Sequence, residues 1–283
     1  CCKELYKAQM KKYKSKKKFK LLKLNELNKI RINNKFINLI DVNLKKSSII
    51  KNQLKFTKEY INESFEIATK LIKKKLTYKL INGPINKKKF LEKKFFGVTE
   101  FISEKFKKKT GMLIYNEKFS VSTVTTHLPI KMISKKISKK ILREKIKIID
   151  QFYRKYLKFR PRIAVTGLNP HCESILKYNE DEKILLPAIK LAKKMNYNVK
   201  GPFPADTIFL KDNRKNFDVI LGMYHDQVLS PFKTLFEYDA INITMGLPFL
   251  RLSPDHGPNE KMIGKNLSNP VSLIKALEFL DKR

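Results

Sequence analysis

The chain has 283 residues, 42% of them apolar and 11% aromatic, and a formal charge of +36. That content is globular rather than disordered, and no apolar run approaches the roughly 18 residues of a helical bilayer span, so a soluble protein in the cytoplasm is expected. The charge comes from 54 lysines and only eight arginines, scattered over nearly every polar face instead of forming the arginine-rich stripe that reads bases and phosphates, so a nucleic-acid partner is not expected.

In chain order, the basic run Lys11–Lys20 comes first, followed by an amphipathic helix predicted over Glu59–Lys75 and a short apolar strand over Tyr78–Ile81. A second strand is predicted at Val121–Val124, then a long helix over Lys131–Leu157, a strand at Arg162–Val165 and a helix over Glu182–Met195. Strands at Val219–Leu221 and Ala240–Ile243 and a last helix over Asn269–Leu280 complete the series. Strands alternating with helices of this length predict an α/β fold with a largely parallel sheet. Three cysteines, two of them adjacent at Cys1 and Cys2, form no disulfide framework, and a chain opening on cysteine is expected to lack its natural start.

Four histidines stand out, none of them in the first 126 residues. His127 follows the strand at Val121–Val124, His171 the strand at Arg162–Val165, and His225 the strand at Val219–Leu221. Functional groups of open α/β sheets gather beyond the carboxyl ends of strands, and a trio of imidazoles there would leave coordination positions open for a substrate. The plainer reading of each is a hydrogen-bonded residue at a strand end, and His256, in a Pro-Asp-His-Gly turn, is read as a turn residue. Cys172 has no partner cysteine at metal spacing. Lys233, Asn242 and Arg251 follow in the same region and offer donors suited to phosphate or carboxylate groups.

The blocks Asn82-Gly83-Pro84, Gly97-Val98-Thr99-Glu100-Phe101, Thr125-Thr126-His127-Leu128-Pro129, Gly167-Leu168-Asn169-Pro170-His171, Gly201-Pro202-Phe203-Pro204-Ala205-Asp206-Thr207, Met223-Tyr224-His225-Asp226-Gln227, Asn242–Arg251 and Asp255-His256-Gly257 occur in one order. Together they resemble the 4-hydroxythreonine-4-phosphate dehydrogenase family over about residues 77 to 283. The resemblance implies a two-domain α/β/α architecture like that of the isocitrate and isopropylmalate dehydrogenases, with residues 1–94 and about 260–283 in the first domain and 95–259 in the second. It implies NAD-dependent oxidation of 4-phosphohydroxy-L-threonine and decarboxylation to 3-amino-2-oxopropyl phosphate, in vitamin B6 biosynthesis. A divalent cation (zinc, cobalt or magnesium) would be held by His127, His171 and His225 in a site shared across a homodimer. Thr99, Lys233, Asn242 and Arg251 would contact the small phosphorylated amino-acid substrate, and Asp226 would orient a ligand or assist proton transfer. The chain departs from the family pattern in lacking its glycine-rich opening, in carrying Val98 where the family has histidine, and in the stretch after His171. A homologue that keeps the fold and binds metal or phosphate without turnover is the alternative.

Overall fold

The computed structural model describes residues 1–29, 32, 35–42, 54–86, 90–91, 95, 97–173, 178–258, 260–262 and 265–283. It divides into two compact units, Cys1–Tyr78 with Lys88–Glu92, and Lys79–Lys87 with Lys93–Arg283. The C-terminal residues thus group with the larger unit, whereas the sequence reading placed about 260–283 with the first.

The smaller unit contains helix α1 (Lys3–Lys12), strands β1 (Phe19–Leu21) and β2 (Ile37–Leu39), and helix α2 (Leu54–Lys73). The two strands pair in parallel, Phe19 opposite Ile37. Phe65, Thr69 and Ile72 recur along α2 at helical spacing and are buried, and Phe65 stacks on Phe90 at 5.9 Å. Lys75 takes a left-handed conformation (φ 59°) just beyond α2.

The larger unit is built on one eight-stranded sheet: β3 (Lys79–Ile81), β4 (Gly111–Tyr115), β5 (Ser120–Thr123), β6 (Ile163–Thr166), β7 (Val199–Phe203), β8 (Val219–Gly222), β9 (Ile241–Met245) and β10 (Leu250–Pro254). Its order is β3-β10-β9-β4-β5-β8-β6-β7. Its longer helices are α3 (Val98–Phe106), α4 (Lys139–Phe152), α5 (Leu186–Lys194), α6 (His225–Phe236) and α7 (Val271–Asp281).

Four neighbouring pairs run parallel, while β10/β9, β9/β4 and β4/β5 run antiparallel, so the expectation of a largely parallel sheet is corrected. The reason lies in the short β4–β5 and β9–β10 connections, which can join only antiparallel neighbours. The long predicted helix is also divided: Ile137 is extended (ψ 131°), Ser138 accepts a hydrogen bond from the Ile141 amide at 3.3 Å, and α4 starts there.

Strand alternation sorts the two faces. Ile241, Ile243, Met245, Leu250 and Leu252 pack against Leu142, Ile146 and Ile149 of α4 and Ala276 and Phe279 of α7. On the other face Val228, Leu229 and Phe232 of α6 join Ile114, Val121 and Ile220. Asn242, Thr244, Arg251 and Ser253 fall at the alternate positions of β9 and β10, which turns polar groups toward the face opposite α4 and α7.

Candidate active site

β5 and β8 are parallel neighbours with Thr123 opposite Gly222, so the segments that follow them leave the sheet side by side. The ladder continues past both ends: Val124 N donates to Gly222 O at 2.8 Å, and the Thr125 amide and hydroxyl both donate to Met223 O. His127, in a left-handed conformation (φ 48°), and His225, the first residue of α6, are thereby brought together with ring centroids 5.6 Å apart.

Each ring has a carboxylate beside it. His225 Nδ1 lies 2.6 Å from Asp226 Oδ1, and His127 Nδ1 lies 3.8 Å from Glu100 Oε1. Thr126 Oγ1 donates to Glu100 Oε1 at 2.9 Å. Burial alone would raise the pKa of Glu100, but His127, its own backbone amide and Thr126 stabilise the charge and hold it at about 2. A Cβ on Gly97 would stand 2.7 Å from Glu100 Oε2 and 3.1 Å from His127 Cε1, so the backbone runs close beside this pair.

His171 is placed differently. It follows β6 in a short turn, exposed and left-handed (φ 56°), and among the described residues no three His, Cys, Asp or Glu side chains form a group able to hold a metal ion. Two imidazoles sharing a cation at about 2 Å have ring centres roughly 5 Å apart, so His127 and His225 suit a divalent ion as two donors of its shell. Of the three histidines expected as ligands, the chain brings these two together and holds His171 apart from them. Of the altered stretch Cys172-Glu173-Ser174-Ile175-Leu176 after His171, the last three residues lie outside the described residues. Cys172 beside it is held protonated to about pH 11 by burial and by the Asp181 charge, which makes it a poor soft ligand.

A second cluster lies along β9 and β10. Arg251 is 2% exposed and sits opposite Thr244 in the register. Its Nε donates to Asn82 Oδ1 at 2.8 Å and its Nη1 to Thr244 Oγ1 at 3.0 Å, while Thr244 Oγ1 also meets Thr99 Oγ1 at 3.3 Å. Burial lowers the guanidinium pKa to about 10, partly opposed by the Glu100 charge. A cation buried against neutral hydrogen-bond partners is electrostatically incomplete and favours an anion as its next neighbour. Two residues along β9, Asn242 Oδ1 is buried without a hydrogen-bond partner.

The structure thus joins Thr99 to Arg251 through Thr244, with Glu100 linking that cluster to His127. Lys233 instead pairs with Asp255, Nζ to Oδ2 at 2.6 Å, and donates to the Asp255 carbonyl. Val98 is buried at the start of α3, next to Thr99. Asp226 is largely exposed and touches His225 alone among the candidate residues. His256 contacts Gly257 O and the edge of Tyr238 and stands near the Asp255 carboxylate.

Sequence reasoning missed Glu100, Thr244, Asn82 and Asp255. All four were visible only as members of motif blocks, and the pairing of Thr244 with Arg251 required the strand register, which the sequence does not display.

The chain matches the family model "Pyridoxal phosphate biosynthetic protein PdxA" over residues 1–280. It is 36% identical over 248 residues to 4-hydroxythreonine-4-phosphate dehydrogenase of Sulfurihydrogenibium sp., covering 86% of this chain and 75% of that protein. It is similar to the crystal structure of 4-hydroxythreonine-4-phosphate dehydrogenase from Klebsiella pneumoniae, at 25% identity and a TM-score of 0.75, covering 98% of this chain and 88% of that one. Isocitrate dehydrogenase from Methylococcus capsulatus, at 10% identity and a TM-score of 0.50 over 90% of this chain and 78% of that one, shares the fold alone. With the match spanning nearly its whole length and its relatives named as dehydrogenases, the chain belongs to the PdxA family of pyridoxal phosphate biosynthetic proteins.

Proposed function

We propose that the chain oxidises the secondary alcohol of 4-phosphohydroxy-L-threonine with NAD, and that the resulting β-keto acid loses carbon dioxide to give 3-amino-2-oxopropyl phosphate. The single observation that supports this best is Arg251, a buried guanidinium whose hydrogen bonds go to the neutral Asn82 and Thr244. The substrate's phosphate or carboxylate supplies the anion that such a group lacks. Thr99 adds a hydroxyl beside it, Asn242 Oδ1 an acceptor for a substrate ammonium or hydroxyl, and Lys233, oriented by Asp255, a point charge.

His127 and His225 would hold a divalent cation, with the third imidazole supplied by His171 of the partner subunit in a homodimer. When bound, the cation supplies Lewis acidity toward the substrate hydroxyl and NAD the hydride acceptor. The chain's own residues orient the substrate and handle its protons. Asp226 accepts from His225 Nδ1, fixing the tautomer that presents Nε2, and its exposure lets protons exchange with solvent. Glu100, held ionised, sets a carboxylate beside the His127 ring, 3.8 Å from Nδ1.

Inorganic phosphate tests the anion site without turnover. It should raise the melting temperature of the wild-type chain and leave that of Arg251→Met unmoved, while Arg251→Met without phosphate is at least as stable as wild type because a buried charge has been removed. A full phosphate-induced shift in Arg251→Met would contradict the assignment.

A further inference from the structure

The loops carrying His171 and His225 are fastened to each other by one side-chain amide. Gln227, in the first turn of α6, accepts at Oε1 from the Met223 amide (2.7 Å) and from Thr166 Oγ1 (2.8 Å), and donates from Nε2 to Gly167 O (2.7 Å). Met223 opens the segment that leads to His225. Thr166 ends β6, and Gly167 opens the turn that leads to His171. A Cβ on Gly222 would stand 3.2 Å from Gln227 Oε1 and 2.4 Å from Val228 Cγ1, so the start of α6 is seated closely against the end of β8.

The same turn is gripped from its other side. Asp181, 1% exposed, accepts from the Leu168 amide (2.7 Å), the Asn169 amide (3.0 Å) and Asn169 Nδ2 (2.9 Å). Thr166–Asn169 is therefore anchored at every residue, two positions before His171. We infer that Gln227 is a positioning residue that sets the His171 and His225 loops as one unit. The task needs one oxygen taking two donors and one nitrogen meeting a carbonyl, which an amide satisfies. Glutamate in its place would face Gly167 O with a lone pair, and asparagine is one methylene short.

The consequence for metal rests on the proposed reading of the two histidines as ligands, whereas the clamp itself belongs to the metal-free chain. If His225 serves one site and His171 the partner's, the clamp ties the geometry of one site to the other. Loss of such a supporting partner typically weakens metal binding about 10- to 100-fold.

With only four histidines in the chain, their ring resonances can be assigned by single His→Ala variants of the full, metal-free protein. Gln227→Ala should shift the ring signals of both His171 and His225 and leave those of His256 in place. Thr166→Val, which removes one bond of the clamp 59 residues from His225, should shift His225 in the wild-type background and not in Gln227→Ala. Movement of His225 alone in Gln227→Ala, or an unmoved His225 in Thr166→Val, overturns the inference; if Gln227→Ala fails to fold, Gln227→Glu is read by the same signals. Titration with Co2+ alone should show about 10- to 100-fold weaker binding to Gln227→Glu. Equal affinity in wild type and variant refutes the clamp's role in metal binding, whereas a wild type that binds no Co2+ refutes the ligand reading and leaves the clamp to be decided by the ring signals.

Discussion

Glu100 and Arg251 carry opposite charges into one region, and their surroundings treat them in opposite ways. Arg251 is buried with neutral partners, so its charge is disfavoured, whereas Glu100 is stabilised by Thr126 and His127 despite its burial. The folded-state pKa of Glu100, about 2, lies below the ordinary 4.5, so its contribution to stability is complete above about pH 4.5 and is lost as pH falls toward 2. In metal-free protein the stability gap between wild type and Glu100→Gln, read by urea unfolding, should be full above about pH 5 and shrink as pH falls toward 2. A gap independent of pH would show that the carboxylate is not held in this way. Of these residues, the histidines were legible because imidazole is rare in this chain and stands at strand ends, and Arg251 because it is one of eight arginines. Glu100 was hidden among 26 acidic residues, since nothing local distinguishes a glutamate that meets a histidine 27 positions later.

At the scale of elements, the turn between β9 and β10 decides where the buried arginine sits. Gly246 has φ 88°, and a Cβ there would lie 2.3 Å from the backbone oxygen of Lys109, which has no side-chain freedom to yield. That turn sets the antiparallel register pairing Arg251 with Thr244 and Ser253 with Asn242. Gly246→Ala should destabilise the chain by about 1–3 kcal/mol in urea unfolding and weaken phosphate binding with it. A loss below about 0.5 kcal/mol would mean that the turn relaxes freely. The central strands β5, β6 and β8 were legible as short apolar runs, since strands buried on both faces read that way. β7 was not, because Gly201 and Pro202 interrupt it, and β10 was not, because Arg251 and Ser253 alternate with its apolar residues. α4 was overextended because helical periodicity runs straight through Ile137 and Ser138, where only the backbone marks the break.

For the molecule as a whole, the eight-stranded sheet brings His127, His225, Glu100, Thr99 and Arg251 into one connected region, while leaving His171 on an exposed turn of the same chain. The sequence located the three imidazoles after three strand ends but carried no information on which ends are neighbours or which two rings converge, because that depends on strand order and on how each loop turns away from the sheet. In the proposed shared site, two donors would come from one copy and the third from another. No helix among the described residues is long and apolar enough to cross a membrane, and the positive charge is spread over lysines around a core that belongs to a family of small-molecule enzymes. The central claim is tested most directly by following NADH absorbance when the cobalt-loaded chain is incubated with 4-phosphohydroxy-L-threonine and NAD. NADH should accumulate with the wild-type chain and not with His225→Ala, whereas a wild-type rate no greater than that of His225→Ala would contradict the account.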